Sequence, residues 1–320
     1  MSTTSDKKAH SLVTALIFIG CLLIWSTNWI AISRQVEHSD VGSSLMLRFL
    51  IAYLVLWLWQ RLFAAPSSRV TRKAYLLMAT VGAVYFYAGI GLTYLATAYL
   101  GSAQVACLSA LVIFFIIGLK RLFLQTPIAV HSVLGALVSL LGLGLFMLGA
   151  PGRPLSMMGI ALGLTAFLAV AVGAVLSEHI QKTCSLGTLH INKVAAGWAC
   201  ALYAISLLLS GHELRPPTTP IDIGILFYLG VVCSALVFVL FIDLINRMGA
   251  ENAGYVGVLY PIGASYLSVW LGETPLSLHL MLGSALVVLG SLINFKFRYR
   301  PAARLPSTLA PQKSGVQQND

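Results

Sequence analysis

Charge is what this chain has least of. Only 9% of its 320 residues are Asp, Glu, Lys or Arg, while 58% are hydrophobic and the mean hydropathy is +0.88. A soluble domain carries roughly a quarter of its residues charged, so this chain cannot cover its surface in water. The solvent it implies is a bilayer. Five cysteines (Cys21, Cys107, Cys184, Cys200 and Cys233) form no C-x-x-C pair. Most sit in apolar stretches, where cysteine packs as a small hydrophobe, which excludes a disulfide framework and a metal site. There is no G-x4-G-K-[ST] loop to cradle phosphates and no H-E-x-x-H pair to hold zinc. There are no paired inward carboxylates for hydrolysis in the membrane and no arginine ladder for voltage sensing. Enzyme chemistry has nothing to stand on, and no cofactor is expected. The first apolar run lacks a small-residue cleavage site and reads as a span rather than a removable signal.

What is present recurs from end to end. A membrane-spanning helix needs about 20 apolar residues, and runs of that kind lie near Leu12–Ile32, Leu45–Phe63, Ala74–Ala98, Gly101–Leu119 and Pro127–Leu148. Five more follow near Met157–Ser177, Ile191–Ser210, Ile221–Leu244, Ala253–Leu271 and Pro275–Phe295. The expected fold is an all-α polytopic membrane protein of ten transmembrane helices. Short connections leave no room for a soluble domain. The segment after Pro301, rich in Pro, Ser, Gln and Ala, reads as disordered.

The loops test that count. The net charge of +10 invites a nucleic-acid partner, but the placement of the charges argues otherwise. With the amino terminus inside, only Arg34, Arg153 and Arg215 fall in outer segments, and Arg48 lies within a span. The other sixteen of the 20 Lys and Arg lie in inner segments. That is a strong positive-inside bias, which a wrong span number would scramble. The basic excess therefore orients helices against lipid, no nucleic acid is expected, and both termini should be cytoplasmic.

The chain is also internally duplicated. Residues 126–142 and 274–290 share T-P-x3-H-x2-L-G-x5-L-G, 148 positions apart. Thr126, Pro127, His131, Leu134, Gly135, Leu141 and Gly142 return as Thr274, Pro275, His279, Leu282, Gly283, Leu289 and Gly290. Gly101/Gly249, Leu111/Leu259 and Leu119/Leu267 keep the same offset, whereas no correspondence shows before Gly101. Five spans separate the two copies, so the units at 11–150 and 155–297 should be inverted five-helix repeats. They are flanked by cytoplasmic tails at 1–10 and 298–320. Inverted repeats are the geometry of a carrier.

Several residues carry both a functional and a structural reading. The Thr-Pro pairs suit helix starts, with threonine as N-cap and proline where no N–H is needed. Gly135/Gly142 and Gly283/Gly290 allow close helix approach, within the chain or against a second copy in a homodimer. His131 and His279 are candidate titratable gates or plain interfacial histidines. Arg48 either serves function, as intramembrane charges often do, or snorkels to the headgroups. Asp243 is either a cavity carboxylate or the partner of Arg247 four residues on. Asn28, in the polar stretch Trp25-Ser26-Thr27-Asn28-Trp29, is costly in hydrocarbon unless satisfied. Tyr87, Tyr94, Tyr255 and Tyr260 are cavity candidates or interface anchors. Pro261 frees a backbone carbonyl.

The Trp25-Ser26 stretch, Arg48-Phe49 opening the second span, and Tyr260-Pro261 followed by Leu271-Gly272-Glu273 and a glycine-rich tenth span resemble EamA-type carriers. These belong to the drug/metabolite transporter superfamily. The resemblance covers about residues 11–297. It departs where Ile113 and Leu124-Gln125 replace the proline and the Gly-Glu pair in the first repeat, and no clear tryptophan falls near Ala169–Gly173 in the sixth span. The first span also lacks the glutamate of the four-span drug exporters. What it implies is export of a small metabolite, such as an amino acid, a related compound or a drug, from a cavity lined by spans one, three, four, six, eight and nine. The candidate cavity residues are Trp25, Asn28, Tyr87, Tyr94, Ser109, Asp243, Tyr255 and Tyr260. Arg48, His131 and His279 are candidates for coupling or gating. The expected partners are a small-molecule substrate and the lipid of a bacterial inner membrane. An importer or exchanger of the same superfamily remains open, and more remotely a membrane-embedded enzyme or scaffold.

Overall fold

The computed structural model describes residues 4–63, 70–100, 102–125, 130–149, 156–184, 186–270 and 276–298, and the regular structure among them is helical. Helix α1 is Thr4–His38 and α2 is Val41–Phe63. Arg72–Leu100 is α3 and Gln104–Phe123 is α4. Val130–Gly149 is α5, Met157–Cys184 is α6 and Thr188–Leu209 is α7. The chain then runs helically from Pro220 to Trp270 with one break at Gly249. There φ is 82° and ψ is 155°, a conformation essentially confined to glycine. Residues 220–248 form α8 and residues 250–270 form α9, and α10 is Leu278–Arg298. With α8 and α9 taken as one, seven of these stretches are long and apolar enough to cross a membrane. Helices α5 and α10 carry the shorter apolar segments Val130–Leu145 and Leu278–Ile293. The Thr-Pro pairs and Glu273 lie outside the described residues.

The outer faces suit lipid. Leu12, Leu16, Leu58, Leu122, Leu208, Leu209 and Leu289 are exposed on helices whose inward faces are fully buried. A monomer in water rarely shows so much continuous apolar surface.

Helices α5 and α10 pack on each other more extensively than any other pair. A Cβ added to Gly142 would lie 2.7 Å from the carbonyl of Gly283, and one added to Gly290 would collide with that of Gly135. Ser139 donates to the carbonyl of Val287, its own equivalent 148 positions on, at 3.2 Å. Contacts that pair i with j and j with i define a two-fold relation. As numbers rise along α5 they fall along α10, so the two helices are antiparallel. The small-residue faces thus meet inside the chain and are not left for a second copy.

A second correspondence lies where the sequence shows none. The backbone of α3 widens into a π-helical stretch at Gly82–Gly89, and that of α8 does so at Tyr228–Leu236. Shifted by 148, the first falls on 230–237. Such wide turns re-aim the side chains beyond them and recur at functional sites.

The ends of the bundle are pinned by charge. At one end Glu178 of α6 pairs with Lys120 of α4 at 3.2 Å and with Lys182 at 2.5 Å. Its carboxylate also accepts the backbone N–H of Ala250 at 2.9 Å, capping α9 just past the Gly249 break. At the other end Arg34 pairs with Asp222 at 3.1 Å.

Candidate functional site

A cavity of about 90 Å³ lies between the two halves. Helix α1 gives it Trp25, Asn28, Trp29 and Ile32; α2 gives Arg48; α3 gives Tyr85, Ile90 and Thr93. Ser109 and Val112 come from α4, Phe167 and Val170 from α6, Phe238 and Phe241 from α8, and Gly254, Gly257 and Tyr260 from α9. None of these lining residues belongs to α5, α7 or α10.

The walls are aromatic and mutually braced. The Trp25 ring lies 4.7 Å from Phe241 and 6.1 Å from both Phe238 and Tyr260, and Trp29 stacks on Tyr260 at 6.0 Å. Tyr85 meets Phe238 edge-on at 5.3 Å. Offset and edge-to-face pairs at these separations are the arrangements aromatic rings favour.

Three polar features interrupt it. Pro261 has no N–H to offer, which leaves the Gly257 carbonyl one turn earlier without its helical donor. The Ser109 hydroxyl lies 3.0 Å from that oxygen and 2.5 Å from the Ala106 carbonyl. Helix α9 passes through Pro261 without a break. Ser109 and Gly257 are also 148 positions apart, which sets this part of the cavity on the two-fold relation. Asn28 is nine-tenths buried, and its Oδ1 has no hydrogen-bond partner among the described residues. Buried polar atoms are nearly always paired, and this one belongs to a cavity-lining residue.

The third feature is Arg48, only 2% exposed. It does not snorkel. Its Nε donates to Ser234 Oγ at 2.8 Å, Nη1 to the Tyr94 hydroxyl at 2.9 Å and Nη2 to the Cys233 carbonyl at 3.2 Å. Tyr94 in turn donates to Gln35 Oε1 at 2.8 Å.

Both halves of the chain match one family model, described as the EamA-like transporter family, over residues 12–148 and 157–296. The chain belongs to the EamA-like transporter family. It is therefore a membrane transporter by family, built of two EamA units. Among solved structures it is similar to a chain described only as "Crystal structure of protein", at 20% identity and a TM-score of 0.69. That match covers 90% of this chain and 97% of the other, a likeness of fold. No curated protein matches.

Within this EamA-like frame the sequence candidates separate. Trp25, Asn28, Ser109, Tyr260 and Arg48 are brought together at the cavity. Tyr94 is fully buried behind Arg48 and does not line it. Tyr87 bonds Ser206 at 2.6 Å and packs on Tyr203 of α7. Tyr255 is fully buried in a separate core with Ile113, Leu143 and Val287. Asp243 holds Arg247 at 2.7 Å, away from the cavity. His131 and His279 stand in the first turns of α5 and α10, at opposite ends of that antiparallel pair and outside the cavity. Sequence reasoning missed Tyr85, Phe238 and Phe241. Their signal is the wide turns in α3 and α8, which no side-chain pattern announces.

Proposed function

We propose that this EamA-like protein is a secondary transporter that exports a small organic metabolite across the bacterial inner membrane by alternating access. In this reading ten helices thread the bilayer as two inverted repeats, with both termini in the cytoplasm. One observation carries it: an aromatic cavity sits between two halves whose equivalent helices, α5 and α10, run antiparallel. Inverted halves around a central site allow one half to rock on the other and open the site to either side in turn. The Glu178–Lys120 and Arg34–Asp222 pairs lie at opposite ends of the bundle, where a rocking motion would break one and leave the other.

The test is counterflow in proteoliposomes, with the substrate first named by a metabolite-resistance screen in overexpressing cells. Exchange of the labelled solute, lost in Asn28→Ala and Tyr260→Ala, supports the reading. Product formation without exchange overturns it, and sensitisation rather than resistance overturns the outward direction.

A further inference from the structure

We infer that Arg48 is an anion-binding site of the cavity and that the ligand it takes is an organic monocarboxylate. Calling that ligand the transported solute rests on the carrier reading; the site itself rests on geometry. Guanidinium has five N–H donors in a fixed fork. Arg48 uses three of them, all on neutral groups: Ser234, Tyr94 and the Cys233 carbonyl. Every ion pair among the described residues leaves it out, since Asp222, Glu178 and Asp243 are each held by another cation. A buried cation with no counter-ion is costly, and the membrane interior makes it more so. One donor on each terminal nitrogen remains, which is the two-pronged arrangement that carboxylates match.

The surroundings choose among anions. Arg48 is the one charged residue among those lining the cavity, so a monoanion balances it and a phosphate dianion does not. One water needs about 10–15 Å³ of such space, so the cavity holds on the order of seven waters, the size of a small organic acid. Trp25, Phe241 and Tyr260 offer an apolar wall for the rest of the molecule. The unpaired Asn28 Oδ1 accepts from an N–H or O–H that the ligand carries. Tyr94 and Gln35 hold the guanidinium from behind, so it is presented in one orientation.

The experiment is a thermal-unfolding titration of the purified full chain in detergent, because a ligand that binds the folded state raises the midpoint. The probes are monocarboxylates from acetate through phenylacetate to indole-3-acetate, each beside its neutral amide. The expected result is stabilisation by at least one carboxylate with apparent affinity at least about tenfold above its amide. Arg48→Gln should remove that difference. If Arg48→Gln does not fold, Arg48→Lys should retain part of it, because a point charge replaces the fork. No stabilisation by any carboxylate overturns the site, as does equal stabilisation by the amides or by sodium chloride at the same concentration. Counterflow separates the two readings. A carboxylate that binds without exchanging leaves the site and sinks the carrier, whereas exchange of a neutral solute with no carboxylate binding does the reverse.

Discussion

Ser109 shows how one hydroxyl can let a proline stand in the middle of a membrane helix. Its single O–H is shared between the Ala106 carbonyl and the Gly257 carbonyl that lacks the N–H of residue 261. Ser109→Ala removes a donor from that half-buried oxygen, a loss of about 1 kcal/mol, and should lower the unfolding midpoint measured in detergent. A midpoint equal to the parent's would mean the carbonyl is satisfied elsewhere. Residue types pointed to Trp25, Asn28, Ser109, Tyr260 and Arg48 as chemistry, and these five meet at the cavity. For Asp243 the sequence left two readings, a cavity carboxylate or the partner of Arg247, and the ion pair is the one formed. Two residues along an α-helix is a rotation of about 200°, which sends Asp243 away from the side where Phe241 faces the cavity. Tyr87 and Tyr94 look coaligned at seven residues apart only if α3 is uniform. The wide turn at Gly82–Gly89 breaks that assumption.

Helices fix the distances at which those residues act. Gly142 and Gly144 sit two apart on α5, and only Gly142 touches α10; a Cβ on Gly144 meets nothing within 4 Å. Gly142→Val should therefore destabilise the protein by several kcal/mol through overpacking, roughly 1–3 and more where backbone is struck. Gly144→Val should be tolerated. The pair of melting curves checks this directly, and equal losses would refute the close approach. Between α8 and α9, Gly249→Ala forces a side chain into a backbone region reserved for glycine, at a cost of about 1–3 kcal/mol. Glu178→Gln should also lower stability, by about 3 kcal/mol, because Lys120 is left buried without its carboxylate. Limited proteolysis near the α8–α9 junction would report it, since Ala250 loses its charged cap. The Gly101/Gly249 match was visible in the sequence, but not that the second glycine breaks the backbone, because φ leaves no trace in composition.

At the scale of the whole molecule, hydropathy and loop charge carried the reading of an all-helical membrane protein, and the motif at 126–142 and 274–290 carried the duplication. Both signals are strong because lipid imposes them: backbone groups must be satisfied within each helix, and close helix approach needs small residues. The first three helices of each half have diverged in side chains while keeping the paired wide turns of α3 and α8. Only the backbone still records that part. Reporter tags on the two tails should both read from the cytoplasmic side, and opposite readings would make the number of spans odd and the count of ten wrong.

Helices α5 and α10 add nothing to the cavity wall, yet they lock together along antiparallel glycine faces. If the halves rock as proposed, two rods packed that closely would serve as a fixed post while the rest of each half pivots. Covalently stapling them to each other should therefore leave turnover running, whereas a staple between α1 and α9, which face each other through Trp25, Trp29 and Tyr260, should stop it.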